Sequence, residues 1–181
     1  MVKDYTETVA FGGGCFWCTE AVFLELKGVV SVTPGYAGGN LTNPTYEQVS
    51  MGNTGHAEVI QIEYNPEIIP FAKLLEVFFA SHDPTTLNRQ GNDVGTQYRS
   101  VIFYTDERQK QQAEDSIRQL TTLEKYAKPI VTEIATLDKF YPAEEYHKRY
   151  FENHPDVGYS TNIIMPKVEK IRKEFREQLR G

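Results

Sequence analysis

The chain has 181 residues, of which 40% are hydrophobic, 24% charged and 12% aromatic, and its formal net charge is -6 at neutral pH. This composition is typical of a globular protein in solution, and the length suits a single domain over residues 1–181 with one well-buried core. The acidic balance argues against general nucleic-acid binding, because phosphate contacts need a concentrated basic surface.

The sequence predicts neither a membrane segment nor a secretory signal. No apolar run approaches the length needed to cross a bilayer, and Met1–Tyr5 opens with charges instead of an apolar core. We therefore expect a cytoplasmic protein without a membrane partner. In that reducing compartment, two cysteines three positions apart indicate redox chemistry or a metal more than a structural disulfide.

The first predicted elements surround the two cysteines. A β-prone run at 7–11 indicates a strand, three glycines follow it, and Cys15–Lys27 has a helical pattern. Cys15 is therefore expected at a strand-to-helix turn. A second strand begins at Val29 and runs into a glycine-rich loop that carries Tyr46.

The rest of the chain continues to alternate between strands and helices. Residues 57–64 alternate as a strand with one buried face, and 70–80 form a helix with an apolar side. The polar loop 81–95 is long enough that we expect it to be functional. The remaining predicted elements are strands over 98–104 and 130–135, helices over 106–125 and near 143–151, and a charged C-terminal helix with the apolar stripe Val168, Ile171, Phe175 and Leu179.

This order of elements contains two β-α-β units and predicts an α+β fold. Helices should cover one face of a mainly antiparallel sheet, and a split β-α-β arrangement in two layers is the simplest candidate.

Cys15 is the first candidate for chemistry. At a helix start, unpaired backbone N–H groups and the helix dipole favour the thiolate, and glycines let a substrate approach closely. An alternative fits the same segment: the glycines form a tight turn, and Cys15 and Cys18 are small buried hydrophobes.

Glu58 is the second candidate, because strand alternation places its carboxyl on the same face as Ile60 and Ile62. A buried carboxyl has a raised pKa and can act as a general acid at neutral pH. If the register is shifted by one residue, Glu58 is instead a solvated strand residue. Tyr46 and Tyr98 follow loop-like segments and could each aim a hydroxyl as a donor.

Several motifs match one known family together. They are Gly-Gly-Cys15-Phe16-Trp17-Cys18-Thr-Glu, Pro-Gly-Tyr36-Ala-Gly-Gly, Asn43-Pro-Thr-Tyr46, Gly55-His-Ala-Glu58-Val, His82-Asp-Pro-Thr, Asn88-Arg-Gln-Gly-Asn-Asp93 and Gly95-Thr-Gln-Tyr98-Arg-Ser. The chain thereby resembles the peptide methionine sulfoxide reductase A family over roughly Val9 to Lys167. This family reduces the S epimer of methionine sulfoxide, in proteins or free, and the resemblance implies a plait-like α+β core in a single catalytic domain.

The resemblance also implies residue roles and partners. Cys15 would be the nucleophile that becomes a sulfenic acid, and Glu58 the proton donor. Tyr46 and Tyr98 would donate to the sulfoxide oxygen, Phe16 and Trp17 would hold the methyl group, and Asp93 and His147 would contact the backbone-like part of the substrate. No cofactor or metal is implied, the reductant would be thioredoxin or another thiol, and we expect a monomer.

The regeneration of Cys15 stays open at the level of sequence. Many family members carry recycling cysteines near the C-terminus, including one after Gly-Tyr, but here Gly158-Tyr159 is followed by Ser160 and no cysteine lies beyond Cys18. Either Cys18 resolves the sulfenic acid as a disulfide, or an external thiol attacks Cys15 directly.

Two other classes of protein remain as alternatives. Cys-x-x-Cys at a helix start also suits a thioredoxin-like thiol-disulfide oxidoreductase. A non-enzymatic zinc-binding module would use Cys15, Cys18 and two of the histidines His56, His82, His147 and His154.

Overall fold

The computed structural model describes residues 5–181 and is built around a six-stranded sheet. The eight strands of these residues are β1 (Glu7–Gly12), β2 (Val29–Ala37), β3 (Ala57–Tyr64), β4 (Arg89–Gln90), β5 (Asp93–Val94), β6 (Val101–Tyr104), β7 (Glu133–Thr136) and β8 (Phe140–Pro142). The large sheet has the order β7-β6-β1-β3-β2-β8, and β4 pairs only with β5. The prediction about a secretory signal rests mainly on residues 1–4, which lie outside the described residues.

The described residues also form six α-helices. They are α1 (Phe16–Leu24), α2 (Tyr46–Ser50), α3 (Phe71–Ser81), α4 (Glu107–Thr122), α5 (Tyr150–Asn153) and α6 (Met165–Glu174). None of the helices in residues 5–181 combines the length and the apolar character that a bilayer span requires.

The sheet contains two split β-α-β units. Strand β3 is antiparallel to both β1 and β2, so β1 and β2 run in the same direction with β3 between them, and α1 connects them. Likewise β1 is antiparallel to both β3 and β6, and α3 belongs to the connection between those two. Only β6 and β7 pair in parallel. The predicted α+β fold with a mainly antiparallel sheet is confirmed.

Alternation along β1 and β3 divides the core between the two faces of the sheet. Large residues such as Phe11, Ile60 and Ile62 belong to the main core, which also includes residues of α1, α3 and α6. Smaller residues such as Ala10 and Val59 form a second cluster on the other face. The predicted register of β3 is therefore correct, and Glu58 lies on the face with the large core residues.

Several predicted helix boundaries are wrong. Helix α1 ends at Leu24 and not at Lys27. Helix α6 ends at Glu174, so Phe175 and Leu179 of the predicted apolar stripe lie beyond it. The predicted helix near 143–151 is instead a 3₁₀ turn (Glu145–His147) followed by the short α5. Between them, Arg149 has φ 53°, a left-handed conformation that interrupts a right-handed helix.

Other predicted elements also differ in extent: the strand over 130–135 begins only at Glu133, and the helix over 106–125 ends at Thr122. The predicted strand over 98–104 begins only at Val101, because Thr96–Tyr98 form a 3₁₀ turn. The long loop 81–95 contains the small β4–β5 hairpin, in which Arg89 pairs with Val94.

Candidate active site

The glycine turn places Cys15 directly before α1. Cys15 is the N-cap residue, with φ -62° and ψ 128°, and its side chain makes no capping bond. Gly14 has φ +96°, and a Cβ there would lie 2.7 Å from Gln90 Cγ. A Cβ on Gly13 would lie 3.1 Å from the His82 ring. Because these two glycines have no Cβ, they leave room for the side chains of Gln90 and His82. The sequence alone did not reveal this reason for the glycines.

The Cys15 thiol is partly buried at the base of this turn. Burial raises its pKa well above the ordinary value, and the nearby Glu58 and Cys18 would raise it further when charged. The backbone N–H of Trp17 and the hydroxyl of Tyr159 act in the opposite direction. Burial outweighs the helix start, so the expected lowering of the thiol pKa is wrong for the free protein.

The Glu58 carboxyl is only 1% exposed. Its Oε1 accepts a hydrogen bond of 3.2 Å from the backbone N–H of Phe16, the residue after Cys15. Burial raises the Glu58 pKa to about 8; the Phe16 N–H opposes this shift, and the charge of Asp93 adds to it. At neutral pH this carboxyl therefore holds a proton beside the helix start that carries the thiol.

Tyr46 and Tyr98 supply two hydroxyls near this pair. Tyr46 is the first residue of α2, where the Thr45 capping box and a bond from its own N–H to Glu144 Oε2 (3.0 Å) fix the backbone. Burial raises the pKa of Tyr46 to about 12, with further contributions from the charges of Glu58 and Cys15. The Tyr98 pKa is also raised, first by burial and then by Glu58. Both phenols are neutral donors at physiological pH.

Aromatic rings form one wall beside these donors. The Phe16 ring is fully buried, with its centroid 6.4 Å from that of Tyr46 and 5.0 Å from that of His147. Trp17 stacks on Tyr150 at 3.7 Å between ring centroids, with an interplanar angle of 6°. Such stacked pairs hold flat apolar surfaces in fixed orientations.

His147 lies between these rings and not at the surface. It is fully buried, and its Nδ1 accepts a hydrogen bond of 3.0 Å from Trp17 Nε1. The other ring nitrogen, Nε2, has no partner among residues 5–181. The structure thus gives His147 a part in orienting the Trp17 ring.

Asp93 and Cys18 are joined by Tyr159, a residue that the sequence analysis did not select. The Tyr159 hydroxyl donates to Asp93 Oδ2 at 3.0 Å, and the Cys18 thiol donates to the Tyr159 oxygen at 3.8 Å. Burial raises the Cys18 pKa, while the positive charge of Lys167 lowers it. The Gly158-Tyr159 dipeptide is the feature of the sequence that could have pointed to this residue.

Cys15 opens into a cavity of about 560 Å³ that is lined by Tyr159, residues 90–93 and residues of the 162–167 segment. A slightly larger groove of about 600 Å³ lies nearby, but the cysteine does not line it. The cavity that contains the thiol is therefore the candidate active site, and of the other predicted site residues Asp93 also lines it. The remaining ones lie outside its lining: Glu58, Tyr46, Tyr98, Phe16, Trp17 and His147.

The described histidines do not form a zinc site with the cysteines. Within residues 5–181, no three side chains of His, Cys, Asp or Glu are grouped so that they could hold a metal ion. Both ring nitrogens of His82 already contact oxygen atoms, those of Phe78 and Ser100, at 2.7 Å. His56 likewise contacts the backbone of Gly39 and Leu41 through both nitrogens.

Comparison with known proteins assigns the chain to a family. The family model described as peptide methionine sulfoxide reductase matches residues 7–179. The chain belongs to this family. A relative from Haloquadratum walsbyi, called peptide methionine sulfoxide reductase MsrA, is 56% identical over 174 residues, which cover 96% of this chain and 99% of that protein.

Solved structures of the family share the fold. Mxr1 from Saccharomyces cerevisiae in reduced form is 34% identical, with a TM-score of 0.78 over 84% of this chain and 87% of that one. A second structure shows Mxr1 in complex with Trx2; it is 25% identical, with a TM-score of 0.57 over 83% of this chain and 90% of that one. The comparisons therefore favour the reductase over the thioredoxin-like and zinc-binding alternatives.

Proposed function

We propose that the chain reduces the S epimer of methionine sulfoxide to methionine, with Cys15 as nucleophile and Glu58 as general acid. The observation that carries this proposal is a buried carboxyl that accepts a hydrogen bond from the N–H of Phe16, the residue after Cys15; burial raises the pKa of this carboxyl to about 8. Membership in the family supports the substrate class. The cytoplasmic location, the monomeric state and the single catalytic domain remain predictions.

The first half-reaction moves one oxygen atom from methionine to Cys15. A sulfoxide oxygen is a poor leaving group, so it must be protonated as the cysteine sulfur attacks the sulfoxide sulfur. Glu58 gives this proton as the bond between the two sulfur atoms forms, and the proton released by the Cys15 thiol replaces it. The hydroxyl group then passes to the Cys15 sulfur while the bond between the two sulfur atoms breaks and its electron pair stays on the methionine sulfur. The products are methionine, reduced by two electrons, and a Cys15 sulfenic acid, oxidised by two electrons.

Tyr46 and Tyr98 assist by donating hydrogen bonds to the same oxygen. Negative charge develops on that oxygen in the transition state, and their raised pKa values keep both phenols protonated. One preorganised donor of this kind contributes about 3 kcal/mol of barrier reduction. Neutral phenols achieve this without burying another charge.

Selectivity for one epimer at the sulfoxide sulfur follows from an apolar side and a polar side of the substrate site. The sulfoxide's methyl group is apolar and its oxygen strongly polar, so the Phe16 and Trp17 rings receive the methyl group while Glu58 and the tyrosines face the oxygen. Only one epimer satisfies both sides. We assign Asp93 and His147 to the backbone-like part of the substrate. Asp93 lines the cavity that contains the thiol, which supports its role, whereas His147 is fully buried in the free protein.

In the second half-reaction Cys18 attacks the sulfenic acid, which yields a Cys15–Cys18 disulfide and one water molecule. The two cysteines are close in the backbone, since the Cys18 N–H donates to the Cys15 carbonyl at 3.1 Å. The Tyr159 hydroxyl lies beside both thiols. A dithiol of the thioredoxin type then reduces the disulfide, and the complex of a relative with Trx2 supports this class of reductant.

Activity on resolved sulfoxide diastereomers tests the proposal. Free and peptide-bound substrates would each be assayed with dithiothreitol and then with thioredoxin, with Cys15→Ser as the control. We expect turnover of the S epimer only and none in the control. Equal reduction of both epimers, or one methionine formed per active site by Cys15→Ser, would overturn the mechanism.

A further inference from the structure

Glu20 is a second buried carboxyl, which the proposed mechanism does not use. It lies on α1, one turn after Trp17, and is only 2% exposed. Isolated buried carboxylates are costly unless hydrogen-bond donors surround them. The backbone N–H groups of Arg149 and Tyr150 are near enough to the Glu20 carboxyl to lower its pKa, and Glu20 and Arg149 line the same groove. Glu20 thus connects α1 to a segment about 130 residues away.

The backbone at this contact is in an uncommon conformation. Arg149 has φ 53° and ψ 39°, the left-handed region that a non-glycine residue rarely adopts. Such a conformation persists only where surrounding contacts hold it. The carboxyl of Glu20 lies near the N–H groups of the residue with this conformation and of the next one, so it is placed to stabilise the turn.

This turn presents the ring that supports the substrate pocket. Tyr150, whose N–H lies near the Glu20 carboxyl, stacks flat on Trp17 at 3.7 Å between ring centroids. The same Trp17 donates its Nε1 proton to His147, three residues before Tyr150. The segment from Glu144 to Tyr150 is also held at its first residue. The Glu144 carboxyl accepts hydrogen bonds from the Tyr36 hydroxyl and from the Tyr46 N–H, each at 3.0 Å.

We propose that Glu20 is a positioning residue for the substrate pocket: by holding the Arg149–Tyr150 turn, it keeps the Tyr150 ring against Trp17 and sets the orientation of the wall that receives the methyl group. The inference rests on the proposed function only in assigning Trp17 to that wall. The packing claim itself concerns Glu20, Tyr150 and Trp17 alone.

The ionisation of Glu20 should be visible at Trp17. Burial raises the Glu20 pKa to about 7, although the two N–H groups and the Arg149 charge lower it and the Glu152 charge raises it. The carboxylate is the better acceptor, so the turn is held less firmly as pH falls below this value. Other titratable or charged groups around the contact are His147 and His154 beside the rings and Lys148 and Arg180 around the adjoining groove.

Fluorescence tests this directly, because Trp17 is the only tryptophan in the chain. We expect the Trp17 emission of the wild-type protein to change between pH 8 and pH 6 with a midpoint near 7. Glu20→Gln should abolish this transition, whereas the matched control His154→Gln should retain it. A transition that persists in Glu20→Gln, or a wild-type emission that is flat from pH 5.5 to 8.5, would overturn the proposal.

A second variant keeps the test decisive if Glu20→Gln does not fold. Tyr150→Leu removes the ring that stacks on Trp17 but leaves the Glu20 carboxyl in place. The pH-dependent change in Trp17 emission should therefore disappear in this variant too. If the transition persisted in Tyr150→Leu, the proposed coupling between Glu20 and Trp17 would be contradicted. None of these fluorescence outcomes depends on enzymatic activity, so a failure of the proposed function would be recognised separately.

Kinetics separate positioning from a merely structural role. A misoriented wall weakens substrate binding in the ground state and in the transition state alike, so Glu20→Gln should raise KM roughly fivefold with kcat changed less than about twofold. A purely structural role would reduce the folded, active fraction and thus kcat, with KM unchanged. That second pattern would refute the positioning role.

Discussion

Glu58→Gln is the substitution that tests the buried acid most fully. Glutamine keeps the size of the side chain and can still accept from the Phe16 N–H, but it has no acidic proton to give. General acid catalysis typically contributes about 10²- to 10⁴-fold to a rate, so we expect kcat/KM to fall by about that amount. The wild-type rate should also fall above pH 8, where Glu58 loses its proton.

The same substitution should change stability in a pH-dependent way. The Glu58 pKa is about 8 in the folded protein against an ordinary value of 4.5, so between these values the folded state binds a proton that the unfolded state lacks. Stability from this group is therefore complete below about pH 4.5 and is lost as pH rises through 8. The loss is about 1.4 kcal/mol per pH unit, or about 4 kcal/mol from pH 5 to pH 8.

Denaturant unfolding of the wild-type protein and of Glu58→Gln at pH 5, 6.5 and 8 measures this quantity. The free energy of unfolding of the variant, relative to the wild type, should increase by about 4 kcal/mol over that range. Glu67→Gln, at an exposed glutamate beyond the same strand, serves as the control and should show no such trend. A difference between Glu58→Gln and wild type that is constant with pH would refute the raised pKa, and with it the argument for a neutral acid.

Three further substitutions test other parts of the site. Tyr98→Phe should lower kcat/KM roughly a hundredfold without moving the alkaline limb of the pH profile, because one donor is lost while Glu58 is kept; an unchanged rate in steady-state assays would remove Tyr98 from the site. Cys18→Ser should form the first equivalent of methionine at the wild-type rate in rapid-quench experiments but no intramolecular disulfide by intact mass; a slowed first turnover would assign Cys18 to the chemical step. Gly14→Ala should lower the free energy of unfolding by about 2 kcal/mol, because φ +96° and a Cβ contact of 2.7 Å are both unfavourable for alanine; urea unfolding with no loss would contradict this origin of the turn.

The sequence predicted features that depend on local periodicity. A period of two along β3 placed Glu58 on the face with Ile60 and Ile62, and its burial followed because that face meets the helices. Glycines before a helical pattern placed Cys15 at the start of α1. Both inferences needed only neighbouring residues.

Features that depend on long-range packing were not predictable in this way. The predicted helix near 143–151 failed because Arg149 has a left-handed conformation, and the buried Glu20 that lies near this turn is far away in the chain. The contact between Cys18 and Tyr159 joins residues 141 positions apart. The Cys15 pKa also could not be predicted, because the extent of burial is set by the assembled fold and outweighs the local helix start.

The most direct test of the central claim is the mass of Cys15 after a single turnover. Cys18→Ser would be mixed with one equivalent of the S epimer of a peptide methionine sulfoxide, and the cysteine-containing peptide would be examined with and without a sulfenic-acid trap. We expect one oxygen atom, or one trap molecule, on Cys15 for each methionine formed. Formation of methionine while Cys15 stays an unmodified thiol would contradict oxygen transfer to this sulfur.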